Sequence, residues 1–147
     1  MASIIPNSFK GRLMGDTAQI STAINLATDT IKIMLVTASY TPSADNDVFV
    51  STPDDYEVAN SGTYAAGGAT LTVTGSTDDT DDEGVFDAVD VSWTGATITA
   101  RYAVIYKSTG TASTSPIICV IDFGSNQIST NGTFAITFAA EGILNLN

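Results

Sequence analysis

Histidine is absent from this 147-residue sequence, and Cys119 is its single cysteine. Zinc sites draw most of their ligands from those two residue types, and Ser-His-Asp and Cys-His catalysis both need a histidine base. The composition therefore predicts no metal-ligating residues, no cofactor and no catalytic residues of these kinds. One cysteine also excludes an internal disulfide. Because Cys119 lies in the apolar run IICVIDFG without an adjacent base, we expect a buried, unreactive thiol.

Basic residues are also scarce. Five Lys and Arg stand against sixteen Asp and Glu, which gives a formal net charge of −11. Such a surface repels the phosphates of nucleic acids and anionic lipids, so we predict neither a nucleic acid partner nor a membrane partner. No stretch approaches the roughly 20 apolar residues that a membrane-spanning helix needs. The start, MASIIPNSFKGRL, lacks the pattern of a signal peptide, and we expect a chain that stays in the cytoplasm where it is made.

Alternating apolar and polar residues dominate the rest of the chain. One segment, TIKIMLVTAS, is apolar on both faces and predicts a central strand. The pattern as a whole predicts an all-β fold, a single β-sandwich of the jelly-roll or immunoglobulin-like type, over residues 27–147. Its predicted strands, in chain order, lie in TIKIMLVTAS, ATLTVTG, VFDAVDVSWTG, ATITARYAVIYKSTG, SPIICVIDFGS, GTFAITFAAEG and GILNLN.

Residues 1–26 differ from this pattern and predict an N-terminal arm with a short helix. Asn7 or Ser8 is a candidate cap, and Gly15 is a candidate stop after a helix that ends near Met14. The apolar spacing at residues 17–26 is closer to alternation than to a helix, and it leaves strand and coil open.

The connection YTPSADNDVFVSTPDDYEVANSGTYAAGG is long for a compact domain, and we expect a helical turn near residues 53–58. It carries Tyr40, Tyr56 and Tyr64. Exposed tyrosines in a loop can stack on sugars or contact a protein partner. The alternative is that these side chains fix the connection to the sandwich.

The most acidic stretch is TDDTDDEG, at residues 77–84. It matches a calcium-binding EF-hand loop only in part, because the last ligand position holds Asp90 and the flanking segments predict strands rather than helices. The alternative, which we favour, is a solvated β-turn whose charges prevent wrong strand pairing.

Asp122 is the one acidic residue inside an apolar strand. We expect it to be paired with a backbone donor, or with Arg101 or Lys107 on a neighbouring strand, in a structural role. The other carboxylates cluster in polar loops, where a raised pKa is not expected. A small hydrolase that uses two carboxylates is therefore the weakest of the functional alternatives.

Seven further segments follow one another over nearly the whole chain. They are IPNSFK, DTIKIMLVTASYTP, GTYAAGG, FDAVDVSW, ITARYAVIYKSTG, IDFG and FAITFAAEGI. In this order they resemble a family of small virion structural proteins of tailed bacteriophages. The resemblance lies in structural residues and contains no active-site motif. It implies a protein of the virion, assembled in the host cytoplasm, that acts without enzymatic activity.

The resemblance leads to two functional hypotheses. The first is a capsid decoration protein, of the cement or head-fibre-like kind, that binds the major capsid protein or another virion protein as a homotrimer. Its candidate docking residues lie in the basic N-terminal segment and are Phe9, Lys10, Arg12 and Leu13. The alternative is a tail or tail-fibre module that binds a host-surface glycan through Tyr40, Tyr56 and Tyr64.

Overall fold

The computed structural model describes residues 3–16 and 23–147. It contains one α-helix, α1 (Asn7–Leu13), and two 3₁₀ turns, Pro53–Tyr56 and Ala112–Thr114. Its seven strands are β1 (Ile31–Val36), β2 (Ala69–Thr70), β3 (Ser76–Asp78), β4 (Glu83–Phe86), β5 (Val91–Lys107), β6 (Ile117–Ile136) and β7 (Leu144–Leu146). The predicted helical turn in the long connection is confirmed. The prediction for residues 17–22 lies outside the described residues.

The strands form two antiparallel sheets that pack against each other. One sheet has the order β2-β1-β5-β6, and the other has the order β3-β4-β7. The predicted all-β sandwich with a short N-terminal helix is confirmed. The strand order differs from the immunoglobulin arrangement. There, one sheet contains the first, second, fifth and fourth strands, in that order.

Two strands are much longer than the sequence predicted. VFDAVDVSWTG begins in β4, but its second half joins ATITARYAVIYKSTG in one continuous strand, β5. In the same way, SPIICVIDFGS and GTFAITFAAEG meet in β6. The glycines that suggested turns lie instead at irregularities of the β5–β6 ladder. Gly95 and Gly124 have positive φ angles of 61° and 79°, and the register shifts beside each of them. A β-bulge inserts extra residues while the strands on either side stay paired.

Around β1, the four-stranded sheet is buried on both faces, as the sequence predicted for that strand. On one face, a large apolar cluster that includes Ile33, Leu35 and Trp93 fills the space toward the second sheet and the N-terminal arm. On the other face, a smaller cluster that includes Met34 and Val104 lies under the long connection. The connection therefore forms a third layer, which explains why so long a segment is ordered in a small domain.

The N-terminal arm extends the edge of the first sheet. Ile4 pairs with Val120 of β6 through two backbone hydrogen bonds, each 2.9 Å long. After this bridge the chain turns into α1, whose amide at Asn7 donates to the carbonyl of Ala44 at 2.8 Å. The arm is thus fixed both to the sheet and to the long connection, and α1 lies beside the second sheet.

Candidate docking surface

Helix α1 is short, and its position depends on tertiary contacts rather than on its own capping. Pro6 precedes it without a side-chain cap, and Gly15 follows with a φ of 78°. A helix of two turns is not stable alone, so an apolar side chain has to hold it to the core. Phe9 does so, since it is 2% exposed and belongs to the larger apolar cluster.

The four candidate docking residues divide into two inward-facing and two outward-facing side chains. Phe9 is in the core, and Arg12 is buried with its guanidinium 5.4 Å from the centroid of the Phe49 ring. Lys10 and Leu13 are exposed. The prediction of a surface contact is therefore wrong for Phe9 and Arg12, because a two-turn helix has to bury one side to be held. Burial also lowers the pKa of Arg12, while Asp16 opposes that shift.

Lys10 and Leu13 lie at an apolar groove of about 400 Å³ between α1 and the second sheet. The floor of this groove is formed by β4 and β7. Leu146 of β7 is 69% exposed and Leu13 is 41% exposed, so large apolar side chains are accessible on both sides. We call this surface the helix–sheet groove. Its lining residues are Ile5, Phe9, Lys10, Leu13, Leu26, Ser76, Gly84, Val85, Phe86, Leu144, Asn145 and Leu146.

The charges around the helix–sheet groove are unequal at its two ends. Lys10 contributes a cation beside α1, where its ammonium donates to the Asn7 side chain at 3.3 Å. At the other side, β3 and β4 lead directly into the acidic turn at residues 79–82. Glu83 reaches toward β7 and accepts a hydrogen bond of 2.8 Å from Asn145. An apolar segment that carries a basic side chain matches this distribution.

The acidic stretch is a β-hairpin, as the favoured alternative predicted. Asp78 pairs with Glu83, and the turn between them contains Asp82 in a left-handed conformation with φ of 57°. The Asp78 carboxylate accepts the amide of Thr80 at 2.8 Å, which is the pattern of an Asx turn. Across residues 3–16 and 23–147, no three His, Cys, Asp or Glu side chains converge as a metal site would require.

The tyrosines of the long connection are mostly internal. Tyr40 is 1% exposed and Tyr64 is 2% exposed, so the hypothesis that they contact a ligand is wrong, and the alternative that they fix the connection is confirmed. Tyr40 packs edge-on against Tyr102 and donates to the buried carboxylate of Asp47. Burial and that hydrogen bond raise the pKa of Tyr40. Tyr56 alone of the three is accessible, at 38%.

Glu57 is a half-buried acid that the sequence pattern did not indicate. Its carboxylate accepts the Tyr64 hydroxyl at 2.6 Å and the Gly67 amide at 2.8 Å, and the same hydroxyl accepts the Leu35 amide at 2.9 Å. Burial raises the pKa of Glu57, although these two donors oppose the shift. The expectation that no loop carboxylate has a raised pKa is therefore wrong. The one signal in the sequence was Val58, an apolar residue directly after an acidic one, which marks a segment that enters the core.

Asp122 has the partner predicted for it. Arg101 binds both carboxylate oxygens, at 2.7 and 3.1 Å, and Gly124 donates its amide at 2.8 Å. The hydrogen bond from Arg101 lowers the pKa of Asp122. Lys107, the other candidate, pairs instead with Asp29 at 2.9 Å. The acid that lies inside an apolar strand thus has a structural role.

Cys119 is buried, as the sequence predicted. Its side chain is 3% exposed, and burial raises the pKa of the thiol to about 12. A thiol with such a pKa carries almost no thiolate at neutral pH and reacts slowly with electrophiles.

The comparisons with known proteins give no match. No family model matches the chain, and neither a curated protein nor a solved structure is significantly similar to it. Within the described part of the chain, no helix is long and apolar enough to span a membrane.

Proposed function

We propose that this protein is a non-enzymatic structural component of a bacteriophage virion, and that it decorates the capsid by binding through the helix–sheet groove. The observation that carries this proposal is the groove itself, which lies between α1 and the β4–β7 pair and has Leu13 and Leu146 exposed at its sides. Contiguous exposed apolar surface of this kind marks an interaction site in an otherwise polar protein. The resemblance to small virion proteins supplies the biological setting.

The partner we propose is the major capsid protein or another shell protein, which would present an apolar segment with a Lys or Arg beside it. The apolar side chains would fill the groove, and the cation would face the acidic hairpin. This chain would assemble on the shell as a homotrimer, in the host cytoplasm, and would act by shape and burial rather than by turnover.

Three acids that accept hydrogen bonds within this chain support a structural role. Asp47 accepts hydrogen bonds from Tyr40 and from the Ser43 amide, and Glu57 and Asp122 have the donors described above. Donors of this chain hold each carboxylate in place, with both donors on one oxygen in Asp47 and in Glu57. We infer that these acids orient the backbone around them, whereas a catalytic acid or base needs an atom directed at substrate. The glycan-binding alternative has lost its main support, because Tyr40 and Tyr64 are internal.

Binding to shells that lack the protein tests the proposal. Leu146→Asp and Leu13→Asp each place a carboxylate at the groove, and an unpaired charge is costly to bury. We expect each variant to bind shells at least about tenfold more weakly, which corresponds to about 1.4 kcal/mol. The matched control is Val89→Asp, since Val89 is 54% exposed and lies outside the groove. Equal binding by the groove variants and the control would overturn the proposal.

A further inference from the structure

A second surface differs from the rest of this acidic molecule because it has no charge. Residues 91–100 of β5 and residues 123–140, which include the second half of β6, contain no Asp, Glu, Lys or Arg. The two segments pair with each other, for example Ser92 with Ala135 and Thr99 with Ile128. We call them the uncharged ribbon. At one end of the ribbon the Arg101–Asp122 ion pair is neutral in sum, and at the other end the exposed Asp90 accepts the Phe138 amide at 2.9 Å and bounds the uncharged surface.

The outward face of the uncharged ribbon is accessible and suited to packing. Ile128 is 68% exposed, the largest apolar side chain to be exposed on either strand. Small and β-branched residues surround it, which pack well on a pleated surface. The exposed residues of this face are Ser92, Thr94, Thr97, Thr99, Ile128, Thr130, Thr133, Ala135 and Thr137.

One edge of the uncharged ribbon is also unpaired. In its first half, β6 is covered by the arm, through Ile4, and by the long connection, through the hydrogen bond from Ile117 to Val48. From Phe123 to Ile136, among the described residues, β6 pairs with β5 alone. Natural sheets protect such edges with charges, prolines or bulges. Here the two irregularities near Gly124 and Asn131 interrupt the edge, but the run 132–136 has no such protection.

We infer that the uncharged ribbon is the surface through which copies of this chain associate with one another. Two copies that each carry a net charge of −11 repel wherever their charged surfaces meet. Association therefore requires a contact surface without charge, and the ribbon provides one with an exposed isoleucine and a free strand edge. A basic partner, by contrast, would gain nothing from an uncharged surface and would be drawn to the acidic hairpin. The inference rests on the homotrimer of the proposed function and names its contact surface. The ribbon is separate from the helix–sheet groove, so a monomeric chain that still binds shells would contradict the ribbon and leave docking through the groove intact.

Light scattering on the purified chain, with charge placed on the ribbon, tests this inference. We expect the wild-type protein to be an oligomer, with a mass at least twice that of its 15.2 kDa chain. Thr133→Asp and Ile128→Asp should each shift it to the monomer, because every copy would then bring a carboxylate into the contact. Thr72→Asp is the matched control, since Thr72 is exposed and lies outside the ribbon, and it should leave the mass unchanged.

Folding of the variants is followed by near-ultraviolet circular dichroism and by protection of the Cys119 thiol. Because the Ile128 side chain is largely exposed, we expect Ile128→Asp to fold. This variant therefore tests the inference even where Thr133→Asp fails to fold. A monomeric wild-type protein at high micromolar concentration would overturn the inference. So would an oligomer that survives a folded Ile128→Asp.

Discussion

At the scale of the residue, the long connection is held by a few side chains whose chemistry is specific. Tyr64 donates to Glu57 and accepts from the Leu35 amide, while Tyr106 donates to the Gly67 carbonyl at 2.8 Å. These bonds are made by phenols that the protein has removed from water. The sequence contains these tyrosines but does not indicate their hydrogen-bond acceptors. Asp47 and Glu57, which accept from Tyr40 and Tyr64, lie several residues away from them in an irregular segment.

Glycine at position 68 is required by a close approach of two backbones. Gly68 has a φ of 65°, and a Cβ atom there would lie 1.8 Å from the Ile33 carbonyl oxygen of β1. We expect Gly68→Ala to lower the free energy of unfolding by more than about 2 kcal/mol, from left-handed strain and from displacement of the connection. Gly110→Ala separates the two causes. Gly110 has a φ of 85° with open space around it, so only the strain of about 1–2 kcal/mol is expected.

Urea denaturation of both variants measures these differences. Similar losses at the two positions would contradict the close approach at Gly68, because the strain alone would then account for both.

The internal tyrosines make the fold sensitive to alkali. Burial raises the pKa of Tyr40 and Tyr64, and it raises the pKa of Tyr106 to about 12. Unfolded phenols titrate near pH 10. The folded state therefore binds more protons above pH 10, and its stability falls as the pH rises from about 10 through 12. Tyrosinate absorbance at 295 nm and near-ultraviolet circular dichroism should change together in that interval. Full ionisation near pH 10 with the circular dichroism intact would contradict the buried positions.

At the scale of the element, α1 and the arm form part of the core. The sequence predicted the helix from its apolar face and its glycine stop, but the cap candidates Asn7 and Ser8 were wrong, because both lie inside the helix and Pro6 precedes it. It did not separate the buried side from the exposed side, since two turns allow several assignments of the apolar stripe. The helix of Asn7–Leu13 resolves this, with Phe9 directed inward and Leu13 outward.

Phe9→Ala should therefore be much more damaging than Leu13→Ala. Removal of a buried phenylalanine side chain costs about 3–5 kcal/mol, whereas an exposed leucine contributes less than about 1 kcal/mol. Thermal unfolding of the two variants measures the contrast, with Leu13→Ala as the control for placing alanine, a strong helix former, in α1. Equal stabilities would mean that α1 is not packed on the core. For the same reason, we expect deletion of residues 2–15 to unfold the sandwich rather than merely to remove a docking arm.

The strands show where local patterns mislead. Gly95 and Gly124 looked like turn residues, yet they lie within β5 and β6, because a glycine with positive φ serves a bulge as readily as a turn. The distinction depends on whether the strands on both sides keep the same partner. That is a property of long-range pairing, which a local pattern does not contain.

At the scale of the whole molecule, the fold class was predictable and the interaction surfaces were not. The alternation of apolar residues predicted the sandwich. The two candidate interaction surfaces were not predictable, because the helix–sheet groove joins residues from both ends of the chain, and the uncharged ribbon depends on the register of β5 with β6.

The measurement that most directly tests the central claim is electron microscopy of shells that lack this protein, after incubation with the wild type and with Leu146→Asp. We predict extra density at regular lattice positions for the wild type, with α1 and the β4–β7 pair facing the shell, and little or none for the variant. Shells that stay bare with the wild type, or density that contacts the shell through another face, would contradict the account.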